Sequence, residues 1–378
     1  MAEHEALEHE KNDWPERKVS PDETAITLSG GGYRAMLFHL GFLWRLRDAG
    51  ILGTIDRCAS VSGGSITAGM LARRWEEIDW NDDGQSFRTK VADPIMTMSQ
   101  QSIDIVAGLL GRIPGLNGSW VTRAYNRVLY GGTRLIDLPE KPRFIFNATS
   151  LHSGKLVRME KVWIADYTLG HWDTKGVRLA DAVAASSAFP PVLSPVTIKL
   201  AGRRFTPFPD GIYKDEPPEK LFLTDGGVYD NLGVESVWKQ CGTVFVSNAG
   251  ANFRYRRGGS YLLSSQALQV TFIMQDQVGA LRFRRIWDSF HTSDPVLHRE
   301  GFLVSSDYFI EPRPDGGIPY NRALAERLAA TPTRLTRIDP AWARKLVNWG
   351  YAATDDRIRE SGRPTGLCKY PYPEDPLD

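Results

Sequence analysis

The chain has 378 residues, of which 42% are apolar, so it can bury a sizeable core in one large domain or two ordinary ones. Its 46 basic and 45 acidic residues nearly cancel, so no overall field favours nucleic acid, and no nucleic-acid partner is expected. Three widely separated cysteines argue against a disulfide framework and indicate a reducing compartment.

The two ends of the chain are polar or proline-rich. Residues 1–21 form a polar lead-in that lacks the apolar core of a signal peptide, and residues 363–378 are predicted to form a proline-rich, extended tail. No segment approaches the roughly 20 apolar residues that span a bilayer, so we expect a cytoplasmic protein that could lie against a membrane surface. The seven histidines have no metal-ligand spacing, and neither a metal nor another cofactor is expected.

The first predicted unit is a strand, a triple-glycine loop and a helix. Ala25–Leu28 favours a strand, Ser29–Arg34 has the sequence SGGGYR, and the periodicity of Tyr33–Ala49 predicts a helix that ends at Gly50. The loop could cradle a phosphate, present backbone donors to an oxyanion, or make a tight turn. No Lys-Ser/Thr pair follows the glycines, which excludes a P-loop, and no second unit with a ribose-binding acid supports a Rossmann turn. Oxyanion donors and a simple turn remain.

Ser62 lies in a second unit of the same kind. A short run of small and apolar residues leads to Ser62, Gly63 and Gly64, and a helical pattern follows over Ser65–Trp75. A serine at such a turn is held in a strained conformation, with its hydroxyl raised above the strand end. The amides that open the helix would point to the negative charge that develops if Ser62 attacked an acyl carbon. Ser60 stands where the G-x-S-x-G pattern has glycine, and an ordinary glycine-rich turn is the alternative.

The middle of the chain begins with a long excursion over residues 76–138. It contains the apolar, glycine-bearing segment Ile103–Leu116, which predicts either a buried helix and turn or a flexible flap over a lipid site. Arg143–Ser150 then favours a strand, with a hairpin partner in Lys155–Ile164. Leu179–Ala188 predicts a helix of small residues.

A buried strand is predicted over Leu221–Val228, and it carries Asp225, Gly226 and Gly227 at its end. The carboxyl ends of strands carry the chemistry in open α/β sheets, so Asp225 has a suitable position for a functional residue. Taken alone, the D-G-G sequence is typical of a turn.

The last third of the chain is predicted to contain one more buried strand, Gly242–Ser247, and a long helix. Five apolar residues mark one face of this helix: Leu263, Ala267, Val270, Met274 and Leu281. Basic and aromatic residues alternate in Phe253–Arg257 and Arg282–Trp287, which is typical of a solvated helix face or of a surface that rests on anionic membranes. Asp339 and the following proline predict a helix that stops at Gly350, and a second helix is predicted over Thr354–Glu360.

Three motifs in this order resemble the patatin-like phospholipases, and the first two also look like the related cytosolic phospholipases A. The motifs are SGGGYRA at Ser29–Ala35, SVSGG at Ser60–Gly64 and DGG at Asp225–Gly227. Further matches are the sequence ASSAFP at Ala185–Pro190, NAT at Asn147–Thr149, NWGY at Asn348–Tyr351, and His39. The resemblance implies a three-layer α/β/α fold with a mostly parallel central sheet. It makes residues 22–362 a hydrolase domain in which 76–138 form a helical insertion that could serve as a lid.

The resemblance also implies a Ser–Asp dyad, with Ser62 as nucleophile and Asp225 as its base. The backbone amides of three glycines would form the oxyanion hole: Gly30, Gly31 and Gly32. Arg34 would brace that loop or meet a lipid phosphate. Supporting positions fall on the glycines beside the two reactive residues: Gly63, Gly64, Gly226 and Gly227.

The identity of the base has alternatives. An unperturbed aspartate has a pKa of ~3.9 and is a poor base at neutral pH, so a dry pocket would have to raise the pKa of Asp225. His39 is the first alternative, although a histidine on this helix face is more typical of packing. His291 and His298 follow Asp225 in the Ser, Asp, His order of the α/β-hydrolases, but neither has a local motif.

The expected function is a lipid acyl hydrolase of the phospholipase A or lysophospholipase type. It would cleave a fatty-acyl ester of a phospholipid or another acyl lipid through an acyl-enzyme, with peripheral membrane contact. The alternative is a catalytically silent lipid-binding or scaffolding protein of the same fold.

Overall fold

A computed structural model describes residues 19–103, 116–190, 193–208, 217–250, 263–307, 309, 317–366 and 368–378. Three sequence predictions lie largely or wholly outside these residues. They are the 1–21 lead-in, the apolar segment at 103–116, and the basic and aromatic segment at 253–257.

A single sheet of eleven strands forms the centre of the molecule. The strands are β1 Ser20–Leu28, β2 Arg57–Val61, β3 Arg143–Ser150, β4 Leu156–Met159, β5 Trp163–Asp166, β6 Gly170–Asp173, β7 Val196–Lys199, β8 Phe205–Pro207, β9 Lys220–Asp225, β10 Cys241–Asn248 and β11 Glu300–Ser305. Five neighbouring strands are parallel, in the order β11-β10-β1-β2-β3. The strands beyond β3 are antiparallel, including β9, which pairs with β3 and β7.

The helices lie between and after these strands. Those with α-helical geometry are α1 Gly32–Asp48, α2 Gly63–Arg74, α3 Asp93–Met98, α4 Leu116–Tyr125, α5 Leu179–Ser186, α6 Gly227–Asp230, α7 Leu263–His291, α8 Arg322–Ala329 and α9 Pro340–Glu360, with a single turn at Gln85–Phe87. Two π-helical segments, Arg88–Ala92 and Asn126–Tyr130, and three 3₁₀ turns, Leu52–Thr54, Trp75–Glu77 and Leu135–Asp137, complete the regular structure of the described residues.

Both faces of the sheet are covered by apolar side chains. Alternate residues of β1 enter different cores: Ile26 packs in the larger cluster with α1, α2 and α9, whereas Ala25 packs in a smaller cluster with Ile286 of α7. This alternation follows from the period of two in a strand and requires a helical layer on each side. The predicted three-layer α/β/α fold with parallel central strands is therefore confirmed.

The C-terminal helix differs from the prediction. We expected a stop at Gly350, but α9 continues unbroken from Pro340 to Glu360. A methyl group at Gly350 would lie 1.9 Å from the Phe38 carbonyl oxygen, and one at Gly41 would lie 2.0 Å from the Val347 carbonyl oxygen. The two glycines let α1 and α9 cross in backbone contact, so Gly350 serves packing rather than termination.

The predicted strand that carries Asp225 is β9, and it runs antiparallel to both of its neighbours. Asp225 pairs with Ala148 in an antiparallel ladder, next to the parallel pair of Val61 and Asn147. The end of β9 therefore meets the carboxyl ends of β2 and β3 from the opposite direction. Residues 76–103 and 116–138 contribute buried side chains, such as Phe87 and Tyr130, to the larger core, and their role as a lid stays a prediction.

Candidate active site

Ser62 occupies a sharp turn between β2 and α2. Its backbone dihedrals are φ 52° and ψ −119°, and it is the one non-glycine residue with positive φ in the described part of the chain. Such a conformation costs about 1–3 kcal/mol and persists only when its surroundings enforce it. The Ser62 N–H donates to Ser186 Oγ at 3.0 Å, and Ser62 itself is half-buried. The predicted strained turn at Ser62 is therefore present, and we call it the serine elbow.

A chain of buried hydroxyl groups supports this elbow from below. Ser65 Oγ lies 2.9 Å from Ser60 Oγ and 2.8 Å from Ser186 Oγ. The Ser60 hydroxyl donates to the Ile145 carbonyl, and the Ser186 hydroxyl donates to the Asn147 carbonyl at 2.6 Å. Serine in place of glycine at position 60 thus introduces a hydroxyl that is fully hydrogen bonded, and the turn accommodates it.

Asp225 is the acidic residue brought to the elbow. Its Oδ1 accepts the Gly227 N–H at 2.7 Å, while its buried Oδ2 accepts no close hydrogen bond from the described residues. Burial raises the pKa of Asp225 to about 6; the Gly227 N–H and the nearby Ser62 hydroxyl lower the pKa but do not cancel this effect. The Ser62 hydroxyl is therefore close enough to the Asp225 carboxyl group to affect its pKa.

The backbone of Asp225 is fixed by neighbouring elements. Its N–H donates to the Ala188 carbonyl, and its carbonyl accepts the Thr149 hydroxyl at 2.9 Å. The next amide, of Gly226, donates to the Ser186 carbonyl. The ASSAFP segment therefore holds both the serine elbow and the aspartate turn.

The glycine loop presents only some of its amides. The Gly30 N–H donates to the Asn231 carbonyl, and the Gly64 N–H donates to the Ser29 carbonyl. Within the described residues, no acceptor is bonded to the amides of Gly31, Gly32 or Gly63. Of the predicted oxyanion donors Gly30, Gly31 and Gly32, the Gly30 amide is thus already engaged, whereas the amides of Gly31, Gly32 and also Gly63 are available; their role as an oxyanion hole stays a prediction.

The loop and the elbow are in backbone contact. Gly31 and Gly32 have φ values of 149° and 61°, which side chains other than hydrogen rarely allow. A methyl group at Gly63 would lie 2.2 Å from the Gly32 carbonyl oxygen. The three available amides therefore belong to two turns that touch each other beside Ser62.

Arg34 is buried and braces the loop. Its Nη1 donates to the carbonyls of Ala329 and Thr331 at 2.9 and 3.1 Å, and its Nη2 donates to the Ala249 carbonyl at 2.7 Å. Of its two predicted roles, the structure favours bracing over contact with a lipid phosphate. The Ala249 carbonyl belongs to the N-A-G turn at 248–250, which directly follows β10.

His39 has a structural role as well. Nε2–H donates to the Ser29 carbonyl at 2.9 Å, which makes Nδ1 the acceptor of the Ser247 hydroxyl at 2.8 Å. Burial is the main reason why the pKa of His39 falls to about 3, so the ring stays neutral. His291 bonds to the Trp287 carbonyl, and His298 to Glu300, so neither one reaches Asp225 in a triad.

Sequence reasoning missed Asn231, which lies where three turns meet. Its carbonyl holds the Gly30 amide, and its side-chain oxygen would lie 2.3 Å from a methyl group at Gly30 and 2.6 Å from one at Gly227. Its side-chain nitrogen would lie 2.8 Å from a methyl group at Gly250. The sequence indicates Asn231 only as an amide residue six positions after Asp225, and in the structure it directly follows the short helix α6.

Helix α7 packs beside the aspartate turn with one face and exposes the other. Gln275 Nε2 donates to the Gly227 carbonyl at 3.0 Å, and Phe272 stacks on Phe189 with ring centroids 5.6 Å apart. On the opposite face, five apolar side chains are between 40% and 64% exposed: Val270, Ile273, Met274, Val278 and Leu281. The predicted helix is confirmed, and its apolar face points away from the protein.

No group of three or more His, Cys, Asp or Glu side chains within the described ranges could hold a metal ion. In the same ranges, no helix combines the length and the apolar character needed to cross a bilayer.

A family model described as patatin-like phospholipase matches residues 26–238 of this chain. The structure of human GIVD cytosolic phospholipase A2 is similar, with 12% identity and a TM-score of 0.50 over 91% of this chain and 60% of that chain. VipD from Legionella pneumophila aligns at 15% identity and a TM-score of 0.37 over 91% of this chain and 68% of that chain. The search of curated proteins finds no match. This chain thus spans about 60% of the length of the human phospholipase, and the likeness concerns the fold.

Proposed function

This chain belongs to the patatin-like phospholipase family, and from that premise we propose that it is a lipid acyl hydrolase that uses Ser62 and Asp225 as a catalytic dyad. One observation carries the proposal. A buried carboxylate with an unbonded oxygen and a raised pKa lies beside a serine on a strained turn, next to three available amides.

The first half of the reaction would acylate Ser62. As Ser62 Oγ attacks the carbonyl carbon of the ester, Asp225 Oδ2 takes its proton, and the carbonyl oxygen becomes negatively charged. The amides of Gly31, Gly32 and Gly63 would stabilise this charge, and one such donor typically contributes roughly 100- to 1000-fold in rate. The tetrahedral adduct collapses to an acyl-enzyme, and the leaving alcohol takes the proton from Asp225.

The second half would release the fatty acid. A water molecule loses a proton to Asp225 as its oxygen attacks the acyl carbon, and the same amides stabilise the second adduct. The bond to Ser62 Oγ then breaks, and Ser62 recovers its proton from Asp225. A carboxylate with a pKa near 6 is a stronger base than an ordinary aspartate and is still ionised at pH 7, which suits both proton transfers.

A soluble fluorogenic acyl ester tests the proposal without a membrane. Wild type should turn the ester over, and Ser62→Ala and Asp225→Asn should each lose at least about 1000-fold in kcat/KM. Ser361→Ala, which removes a hydroxyl bonded locally to the Ile358 carbonyl, is the matched control and should retain activity. An alkyl fluorophosphonate should add its mass to wild type at Ser62 and not to Ser62→Ala. Equal turnover by Ser62→Ala would reject the dyad and favour a silent lipid-binding protein.

The exposed face of α7 supports a second part of the proposal, namely contact with a bilayer surface. Its five exposed apolar side chains span three turns, and exposed Arg284 and Arg285 follow them toward the C-terminal end of the helix. An apolar face next to basic residues is the pattern of interfacial helices on anionic lipid. Because α7 touches the aspartate turn through Gln275, this face would bring lipid to the site.

Vesicle co-sedimentation tests this contact with anionic phosphatidylglycerol–phosphatidylcholine vesicles. Met274→Glu/Leu281→Glu should weaken binding by roughly tenfold or more, since burying two large apolar side chains is worth a few kcal/mol. Ile136→Glu/Val296→Glu adds the same charge at two exposed apolar residues outside α7 and should bind like wild type. Equal weakening by both variants would reject the face as the membrane contact. A dimer of wild type that Met274→Glu/Leu281→Glu abolishes would assign the face to a second copy of the chain.

A further inference from the structure

A basic cleft of about 620 Å³ lies between α8 and the start of α9, next to the glycine loop. Its lining includes three arginines, two polar residues and one aromatic residue: Arg327, Arg334, Arg337, Thr331, Asp339 and Trp342. The charges sum to three positive and one negative, a net charge of +2, in a protein whose overall charge is only +1. The cleft therefore concentrates positive charge in a place that the proposed reaction does not use.

The acidic and aromatic members of the cleft already have partners. The Asp339 carboxylate caps α9 by accepting the Trp342 N–H at 3.0 Å, and the Trp342 indole N–H donates to the Thr331 hydroxyl at 2.9 Å. The Arg327 guanidinium lies over the Trp342 ring, 5.5 Å from its centroid. By contrast, all three arginines are exposed, and among the described residues none of them has an ion-pair partner.

We propose that this cleft binds a phosphate group, either on a lipid headgroup or free in solution. Guanidinium groups present paired N–H donors that match phosphate oxygens, and Arg–phosphate hydrogen bonds are among the strongest in proteins. A cleft of this size holds a small ligand rather than a helix or strand. The site goes beyond the proposed hydrolysis, because binding there requires neither Ser62 nor Asp225.

The backbone that lines the cleft also holds the glycine loop in place. Arg34 bonds to the carbonyls of Ala329 and Thr331, and the Tyr33 N–H donates to the Arg334 carbonyl at 3.0 Å. The backbone that carries the arginines is therefore held against the loop that presents Gly32. A phosphate in the cleft would therefore lie beside the backbone that holds the glycine loop.

The test uses the full chain with Ser62→Ala, so that no lipid is consumed and failure of the hydrolysis proposal leaves the result unaffected. Arg327→Gln/Arg334→Gln/Arg337→Gln removes the three cations, and Lys175→Gln/Lys199→Gln/Lys220→Gln removes three exposed cations elsewhere as the matched control. An Arg→Lys version of the cleft variant keeps the charge and removes the paired donors. Circular dichroism should give all three the unfolding temperature of the parent, because every altered side chain is exposed.

Two arms distinguish the source of the phosphate. Calorimetric titration with inorganic phosphate measures the free anion, and co-sedimentation with phosphatidylcholine vesicles with and without phosphatidic acid measures the headgroup. We expect the glutamine cleft variant to lose at least about tenfold in affinity relative to the lysine control in one or both arms, with the Arg→Lys variant in between. A loss in the first arm alone assigns a soluble anion, and a loss in the second arm assigns a lipid headgroup. Equal affinities of the cleft and control variants in both arms would overturn the proposal.

Discussion

Replacing Asp225 with asparagine should abolish hydrolysis and at the same time stabilise the fold above pH 6. The carboxyl group has an ordinary pKa of 3.8, and burial raises the pKa to about 6 in the folded protein. Each pKa unit corresponds to about 1.36 kcal/mol, so keeping this group ionised in the folded state costs up to about 3 kcal/mol. The amide of Asp225→Asn can still accept the Gly227 N–H and carries no charge.

The sign of the pH dependence follows from proton binding. Between pH 3.8 and about 6 the folded state holds the Asp225 proton and the unfolded state has lost it, so the free energy of unfolding falls as the pH rises through this window. The Asp225→Asn variant has no titrating group at this position, so its free energy of unfolding does not fall in this way. The stability difference between variant and wild type should therefore be near zero at pH 4 and reach up to about 3 kcal/mol at pH 7.5. The kcat/KM of wild type should rise with a midpoint near pH 6 and level off above about pH 7, because only the ionised carboxylate accepts the Ser62 proton.

Urea denaturation at pH 4 and pH 7.5 measures the stability difference, and the fluorogenic ester gives the pH profile of kcat/KM. Asp83→Asn, at an exposed aspartate, is the control and should show no pH-dependent gain. An Asp225→Asn variant that is inactive but no more stable than wild type at pH 7.5 would refute the argument from burial. A wild-type profile with its midpoint near pH 4 would refute the raised pKa itself.

Three further predictions concern backbone packing and the hydroxyl chain. Gly350→Ala should lower the free energy of unfolding by about 3 kcal/mol, because the added methyl would lie 1.9 Å from the Phe38 carbonyl oxygen. Gly279→Ala, at a position on α7 where an added methyl group meets no atom within 4 Å, should raise the free energy of unfolding by about 0.5–1 kcal/mol. Urea denaturation measures both variants, and equal effects would contradict the packing argument. Ser186→Ala should lower kcat roughly tenfold and stability by about 1–3 kcal/mol, because the Ser62 N–H loses its acceptor. An unchanged kcat for the ester would show that this hydroxyl does not position Ser62.

Local sequence patterns were sufficient to predict the units that present the reactive groups. The strand, glycine turn and helix around Ser62 depend on neighbouring residues only, since alternation, glycine content and helical periodicity act over a few positions. The same holds for α1, which ends at Gly50 as predicted. These patterns made Ser62 and Asp225 candidates, but only the resemblance to the patatin-like phospholipases joined them as a dyad; their turns lie side by side in the structure.

Features that depend on distant contacts could not be predicted in this way. The sequence does not show that the Asn231 carbonyl lies beside the Gly30 amide and occupies it. Nor does it show which carbonyls bind Arg34, since these lie more than 200 positions further along the chain. Gly350 matched a helix stop because glycine is typical of one, whereas the approach of α1 decides its role. The apolar face of α7 predicted a helix correctly, but periodicity does not tell whether such a face meets a core or a solvent boundary.

The bracing of the glycine loop has a consequence for any shortened form of this protein. Residues 26–238 contain both Ser62 and Asp225, yet the carbonyls that hold Arg34 and Tyr33 come from positions 249, 329, 331 and 334. An expression fragment cut at position 238 would retain the nucleophile, the carboxylate and the Asn231 carbonyl that holds Gly30, but it would lose the four carbonyls that hold Arg34 and Tyr33. Such a fragment would be a poor subject for crystallography or inhibitor screening, because the pocket it offers would no longer be the one that the intact polypeptide builds.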